Sequence, residues 1–263
     1  MYHDLYTKIS ASVGVLTVSL DDERISQGSC FCFLESGEIL TAAHVVTGRF
    51  PINQNDVKEP GVKYLVKFPN IPVLEYRVAF CGISVDVQAF VEPIQIDMAV
   101  LVPTHDYQVE YPPILANINS PRLGEEVFIA GYSDELELPF LVDRILDKKG
   151  QGANEFLDAM NKGYIADMTG PMIKRAVIGN HRVIEASNSQ LEVHLNCDIY
   201  YLDNAMHSGA SGGPIINMSG DTVGIITQRA ITSASQSDIP SLSVPSGATV
   251  AISLQPLLYL NNP

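Results

Sequence analysis

A serine enclosed by glycines is the residue of this chain best suited to covalent chemistry. It is Ser211, in the run Gly209-Ala210-Ser211-Gly212-Gly213-Pro214. Glycine adopts backbone conformations that bulkier residues resist, so this turn can direct a hydroxyl and nearby N–H groups at one small volume. An acyl-transfer enzyme needs that arrangement, a nucleophile with oxyanion donors beside it. Because the same residue types also form ordinary turns, the motif needs support from elsewhere in the chain.

Two other segments contain the residue types that activate a serine. His44 lies in the apolar segment 39–46, with small residues directly before it, and Asp97 stands near the start of the apolar run 96–101. Taken alone, His44 is also consistent with a histidine packed in the core, and Asp97 with a carboxylate at the edge of a strand. Together with Ser211 they supply a nucleophile, a general base and a group that can orient the base.

Short β-rich runs must position these three residues, because helix signals are few. Helix is predicted at 155–162, where three apolar residues share one face and Gly163 ends the segment, with short helical turns after His44 and at 255–260. About a dozen short strands with little helix indicate an all-β barrel or sandwich. The predicted strands are 12–20, 28–34, 39–41, 63–68, 75–82, 98–102, 126–131, 176–186, 190–196, 214–217, 222–228 and 248–252.

One segment interrupts this succession of strands. Residues 143–170 are richer in Lys, Asn and Met than their surroundings, and we predict a partly helical insertion there. Two interpretations are open. The insertion is either a surface decoration or a lid or regulatory loop near the active site, since long structured insertions are often functional.

The composition excludes several classes of protein. Hydrophobic residues make up 46% of the chain and charged residues 17%, which is typical of a globular protein and not of a disordered one. Acidic residues number 30 against 16 basic ones, and the net charge of -14 repels phosphate backbones and anionic lipid. We therefore expect no nucleic-acid partner and no membrane partner. The N-terminus lacks a secretion signal, which favours a cytoplasmic location.

The four cysteines, at positions 30, 32, 81 and 197, have no spacing typical of a disulfide framework. Cys30 and Cys32 are two residues apart on a predicted strand, so a bridge between them would be strained. A zinc site is the alternative, but this pair has no second pair to complete four ligands. We expect reduced, buried thiols and no metal, which agrees with a cytoplasmic location.

Segments 41–44, 97–101 and 209–214 resemble the three signature blocks of the trypsin-like protease superfamily, in the chymotrypsin order His, Asp, Ser. The likeness is strongest to the HtrA/DegP branch, the bacterial trypsin-like peptidases. Segment 28–33 stands where that branch has its Gly-Ser-Gly-x-x-Ile strand. The likeness runs from about residue 28 to 252 and is interrupted by the insertion. Further segments similar to that branch are 124–132, 203–208, 223–227 and 250–252.

The resemblance implies two six-stranded antiparallel β-barrels, at about 10–115 and about 120–260 of a single peptidase domain spanning 1–263, with the active site in the cleft between them. It also implies a serine endopeptidase that acts on a protein or peptide substrate and needs no metal or cofactor. Its PDZ domain is expected to be absent, since the chain ends soon after the second barrel. The implied catalytic residues are His44, Asp97 and Ser211, and the implied oxyanion donors are the N–H groups of Gly209 and Ser211.

The resemblance also implies a specificity pocket. In the family, the residue six before the serine forms the floor of that pocket, and here it is Ala205, with Met206 beside it. Nothing acidic is present to hold lysine or arginine, so we expect small to medium apolar side chains before the cut. The strand edge formed by Ile226, Thr227 and Gln228 would pair with the substrate as an added β-strand.

One departure from the family pattern, one rival histidine and three alternative functions complete the interpretation. Ala210 replaces an aspartate that pairs with a newly cut N-terminus in digestive proteases, so control would act elsewhere, through the loop 204–208 or a regulatory protein partner. His207 is the only rival for the role of His44. The alternatives are a catalytically silent peptide-binding pseudoprotease, an esterase using the same residues, and a structural β-rich interaction protein.

Overall fold

The strands of the protein form two six-stranded antiparallel sheets, each closed into a barrel. The structure is a computed structural model that describes residues 2–53, 55–86, 91, 93–133, 150–188, 193–234 and 242–260. Residues 190–192 of a predicted strand and residues 143–149 of the predicted insertion lie outside the described residues. The expected all-β fold with two barrels is confirmed.

The first barrel comes from the N-terminal half of the chain. Its strands are β1 (Val13–Leu20), β2 (Glu23–Cys32), β3 (Ile39–Thr41), β4 (Val62–Lys67), β5 (Leu74–Val85) and β6 (Ile94–Pro103). Strand β1 closes the barrel by pairing with both β2 and β4. Its side chains alternate between two cores, with Leu16 and Val18 inside the barrel and Val13 and Val15 in a cluster shared with the second barrel.

The second barrel is built on the same plan. Its strands are β7 (Glu126–Gly131), β8 (Met172–Asn188), β9 (Val193–Leu202), β10 (Pro214–Ile216), β11 (Thr222–Ala234) and β12 (Leu242–Ser253). Strand β7 alternates in the same way, with Val127 and Ile129 inside this barrel and Phe128 and Ala130 in the shared cluster. The two barrels are therefore joined by an apolar layer to which both contribute.

Helices are short and lie outside the barrels. The predicted helix at 155–162 and the helical turns after His44 and at 255–260 are present, whereas the N-terminal helix was not predicted. That helix packs the rings of Tyr2 and Tyr6 edge-on against Phe128. No helix within the described ranges has the length and apolar character needed to cross a membrane. The helices are α1 (His3–Ser12), α2 (Ala43–Thr47), α3 (Ala153–Asn161) and α4 (Ile165–Thr169), with 3-10 turns at Asp56–Lys58 and Gln255–Tyr259.

The insertion follows β7 of the second barrel, yet its helical part is anchored on the first. Lys67, on β4, has a side chain only 1% exposed, and its ammonium pairs with the Asp167 carboxylate of α4 at 2.6 Å. The same ammonium donates to the Phe68 carbonyl at 2.8 Å and lies 5.1 Å from the centre of the Tyr164 ring. Asp167 in turn accepts the Asn70 N–H at 2.8 Å. A buried cation needs such partners, so α4 is held against β4.

We predict that Asp167→Asn destabilises the protein by about 2–3 kcal/mol, because it leaves the Lys67 ammonium buried without its carboxylate. Urea denaturation at neutral pH measures this loss in the free energy of unfolding. The matched control is Asp158→Asn, whose carboxylate pairs with Lys162 on the exposed surface of the insertion. The control should cost less than about 0.5 kcal/mol. Equally small losses in both variants would contradict the anchoring described here.

Candidate active site

His44 and Asp97 form a two-point contact in the first barrel. One carboxylate oxygen, Oδ1, accepts the backbone N–H of His44 at 2.9 Å, and Oδ2 lies 2.8 Å from His44 Nδ1. Asp97 is 5% exposed. An ionised carboxylate accepts hydrogen bonds and cannot donate them, so Nδ1 carries the proton in this pair. The neutral imidazole then has its lone pair on Nε2, where it can accept a proton.

Strand register brings these two residues together. Strand β3 pairs antiparallel with β6, and Thr41 lies opposite Ala99. Two residues further along each strand, the chain enters α2 on one side and reaches Asp97 on the other. His44 is the second residue of α2, so its N–H is one of the donors that have no partner within the helix. Asp97 satisfies that donor and the imidazole at once.

The turn that carries Ser211 is clamped between the two barrels. The Ser29 N–H of β2 donates to the Ser211 carbonyl at 2.8 Å, and the Gly212 N–H donates to the Ile226 carbonyl of β11 at 2.7 Å. Gly212 has φ +87, and a Cβ there would lie 2.1 Å from both the Ser29 carbonyl and the Thr41 hydroxyl. Only glycine permits this close approach. The first glycine after the serine thus packs the turn against the segment that leads to His44.

The Ser211 hydroxyl donates its hydrogen bond to the Thr227 carbonyl, at 3.1 Å. A hydroxyl has one proton, so in this structure it does not also donate to His44. Thr227 sits at a bulge of β11, where the register to β12 shifts between Ile226 and Gln228. A bulge residue is left out of the ladder, which explains why this carbonyl is open to the serine.

The oxyanion donors expected from the sequence are the N–H group two residues before the serine and the N–H group of the serine itself. Within the described ranges, the N–H groups of Gly209 and Ser211 donate to no other group, whereas that of Ala210 donates to the His207 carbonyl at 3.3 Å. Ser29 fixes this loop from the first barrel. Its hydroxyl donates to the Gly209 carbonyl at 2.9 Å and accepts the Tyr132 N–H at 2.8 Å. A single side chain thus connects three segments around the turn.

The residues expected to bind substrate differ in how far their side chains are buried. The side chains of Met206 and Ile226 are buried in the core of the second barrel. The Ala205 carbonyl accepts a hydrogen bond at 2.5 Å from the Lys174 ammonium of β8. Thr227 is buried and Gln228 is exposed. The serine turn occupies both backbone groups of Ile226, since the Gly212 N–H donates to its carbonyl and its N–H donates to the Gly213 carbonyl. At this edge the backbone of Thr227, and not that of Ile226, is therefore available to a substrate.

Three residues at the site were not predicted from the sequence. They are Ser29, Lys174 and Phe50, whose ring stacks on the His44 imidazole with centroids 4.7 Å apart. The Phe50 ring is 53% exposed, and it covers one face of the His44 imidazole. Ser29 stands in segment 28–33, which resembles the Gly-Ser-Gly-x-x-Ile strand of the HtrA/DegP branch, but nothing in the sequence indicates the other two.

A second nucleophile near the histidine is unreactive. The Cys81 thiol lies 3.9 Å from the Ala43 carbonyl, one residue before His44. Burial, with a smaller contribution from the Asp97 carboxylate, raises the pKa of Cys81 to about 12. The thiol therefore stays protonated near neutral pH and does not compete with Ser211. Within the described residues, no cluster of three His, Cys, Asp or Glu side chains could hold a metal ion.

Comparison with known proteins agrees with this architecture. A family model described as a trypsin-like peptidase domain matches residues 28–225. Among solved structures, one similar to this chain is the inactive form of a serine-to-alanine mutant of Rv3671c from M. tuberculosis H37Rv. The TM-score is 0.54 and the sequence identity is 15%, and the match covers 98% of this chain and 92% of that chain. The active form of the Rv3671c protease from M. tuberculosis has the same TM-score and identity, over 97% and 82%. No curated protein matches the chain.

We predict that Ser29→Ala slows the reaction of Ser211 with a fluorophosphonate by about 10- to 100-fold, because the Gly209 loop loses the side chain that fixes it. Labelling rates under pseudo-first-order conditions measure this effect. The control is Ser19→Ala, which removes a buried hydroxyl of β1. The control should leave the labelling rate within about twofold of the wild type. Unchanged labelling in Ser29→Ala would show that Ser29 does not position the loop.

Proposed function

The chain belongs to the trypsin-like peptidase family and is a peptide-bond hydrolase, and from that premise we propose that it is a serine endopeptidase with His44, Asp97 and Ser211 as its catalytic triad. The observation that carries the proposal is the two-point contact between Asp97 and His44. It holds the imidazole in one tautomer, and the serine turn packs its Gly212 against Thr41 and Ala42, directly before His44. The expected substrate is a protein or peptide.

The chemistry follows from the proton positions. Ser211 Oγ attacks the scissile carbonyl carbon while its proton passes to His44 Nε2, and the carbonyl oxygen becomes an oxyanion. The C–N bond then breaks, the leaving amine takes the proton from Nε2, and an acyl ester remains on Ser211. Water repeats the sequence in place of the serine and releases the acid. Asp97 stays ionised throughout and stabilises the imidazolium that forms twice in each cycle.

Substrate binding supports the activation of Ser211 in this proposal. A peptide that adds to β11 as a new strand needs the Thr227 carbonyl as an acceptor for its own N–H. The Ser211 hydroxyl, which now uses that acceptor at 3.1 Å, is then displaced and turns its proton toward His44. The nucleophile is thus released when a substrate strand is present.

The oxyanion needs donors that are already in place. The N–H groups of Gly209 and Ser211 are the proposed donors, and each such donor lowers the barrier by about 3 kcal/mol. Their loop is held by Ser29 and by Thr249, whose hydroxyl donates to the Asn204 carbonyl at 2.8 Å and accepts the Met206 N–H at 2.8 Å. Rigid donors cost no reorganisation when the charge develops.

The specificity proposed before the cut is for small to medium apolar side chains. Ala205, the proposed floor residue, offers no carboxylate to pair with lysine or arginine. The Lys174 ammonium that donates to the Ala205 carbonyl adds a positive charge behind it. A cationic substrate side chain would therefore meet repulsion there instead of a partner.

We also propose that residues 1–263 form one peptidase domain in the cytoplasm. The apolar cluster to which both barrels contribute supports a single domain. All four cysteines are buried free thiols, and burial raises the pKa of Cys32 and that of Cys197 to about 12. A reducing compartment keeps such thiols free, which supports the proposed location.

We predict that Ser211→Ala lowers the turnover of a cleaved peptide by about 10⁶-fold. Its thermal transition should stay nearly unchanged, since the variant loses one hydrogen bond. Hydrolysis of a quenched peptide and labelling by a fluorophosphonate provide the two readouts, and Ser219→Ala, in an exposed turn between β10 and β11, is the control. A wild-type protein that binds peptides but neither labels nor hydrolyses would support the pseudoprotease alternative.

A peptide library tests the specificity. The wild type should cleave after Val, Ala or Leu at rates at least about 10-fold above those after Lys or Arg, because repulsion and the missing carboxylate both oppose a cation. Cleavage-site sequencing by mass spectrometry measures this preference. Lys174→Met serves as the matched variant. It should lower the ratio between the rate of cleavage after Val, Ala or Leu and the rate after Lys or Arg, because the repelling charge is removed. Preferred cleavage after Arg or Lys, or after Asp or Glu, would contradict the apolar preference.

A further inference from the structure

A cleft of about 590 Å³ opens beside the oxyanion loop. Gly209 is one of its lining residues, and the others belong to four separate parts of the fold. Val15 comes from β1, Arg24 and Gly28 from β2, Tyr132 from the segment after β7, and Met160 from the helical insertion. The cleft is therefore bounded by both barrels and by the insertion.

The position of the cleft assigns it to the part of the substrate that follows the scissile bond. The part before the bond is proposed to pair with β11 at Thr227, and no described residue of β11 lines the cleft. Gly28 lies next to the serine turn, since a Cβ there would lie 3.0 Å from the Ser211 carbonyl oxygen, so a peptide whose carbonyl oxygen is held at Gly209 can continue toward Gly28. The backbone there is tightly packed, since a Cβ at Gly28 would lie 2.7 Å from a Val45 methyl.

Arg24 gives the cleft a positive charge that no carboxylate among the described residues pairs with. Its guanidinium makes one long hydrogen bond, at 3.4 Å, to the Gln27 side chain, which is itself held by the Thr17 hydroxyl at 2.9 Å. Within the described part of the chain, no carboxylate lies within 4.0 Å of this guanidinium, although the protein carries a net charge of -14. An arginine in that state is suited to bind a carboxylate from another molecule.

The insertion supplies an apolar part of the cleft wall. Met160 lies in the last turn of α3 and Ile165 begins α4, and both line the cleft together with Val15 of β1. This wall is fixed, because the Lys67–Asp167 ion pair holds α4 on β4 and Ile165 packs against the core shared by the barrels. A cleft with one apolar side and one cationic side selects for a segment that carries both kinds of side chain.

We propose that this cleft binds the leaving-group segment of the substrate, with an apolar side chain against Met160 and Ile165 and an acidic residue at Arg24. The proposal rests on the proposed endopeptidase function and extends it to the residues after the cut. The insertion is then a specificity element and not a surface decoration. Arg24 and Met160 would contact side chains of the substrate and not the reacting atoms. They are therefore specificity-determining residues and not catalytic residues.

The test uses quenched peptides that share one sequence before the cut and differ after it by a single Glu, Gln or Lys. The wild type should cleave the Glu peptide with a kcat/KM about three to five times that of the Gln peptide. Arg24→Gln should remove this ratio, while Arg122→Gln, an exposed arginine outside the cleft, should keep it. In Met160→Ser the preference for Leu over Ala at the first position after the cut should fall, with the Glu to Gln ratio retained.

The outcomes separate the two proposals. Equal cleavage of the Glu and Gln peptides by a wild type that hydrolyses both would overturn the cleft assignment and leave the endopeptidase function intact. If no peptide is cleaved, the function fails, and calorimetric binding to Ser211→Ala then decides the cleft assignment. Tighter binding of the Glu peptide that is lost in the double variant with Arg24→Gln would uphold it. Equal binding of the two peptides would overturn it.

Discussion

The buried carboxylate of Asp97 is the constraint on which the rest of the site depends. It is nearly removed from water, so both of its oxygens must accept hydrogen bonds or folding pays a large desolvation cost. The His44 backbone N–H and imidazole are those two donors. Because one donor is the backbone, the start of α2 cannot shift without breaking the pair. The imidazole is thus positioned by the same contact that satisfies the first barrel's buried charge.

In the proposed triad the second barrel must bring its serine to that fixed imidazole, and contacts from the first barrel help to hold the serine turn. Ser29 acts through both its N–H and its hydroxyl, one on Ser211 and the other on Gly209. Glycines at 131 and 212 let backbones approach where any Cβ would collide. Specific polar contacts between the barrels therefore surround the site. The apolar cluster to which both barrels contribute stabilises their association as a whole.

Local patterns in the sequence were sufficient for most of the strands. Short β-rich runs between turn signals located them, the resemblance to trypsin-like proteases implied the two barrels, and the short motifs around 44, 97 and 211 supplied the candidate site. The contacts that hold these motifs join residues far apart in the chain, such as Ser29 with Gly209 and Lys67 with Asp167. No local pattern encodes such pairs. Helix α1 is different, since Leu5 and Ile9 have helical spacing that would have identified it.

The insertion adds a wall to the two-barrel fold and is attached to both barrels. It leaves the second barrel after β7 and returns through β8, so both of its ends are fixed on one side of the cleft. Its attachment to β4 lies on the other side, through an ion pair whose cation has no access to water. A segment tied at both sides cannot open without exposing Lys67 or leaving it unpaired, and both cost free energy. The wall it forms is consequently part of the resting architecture of the site.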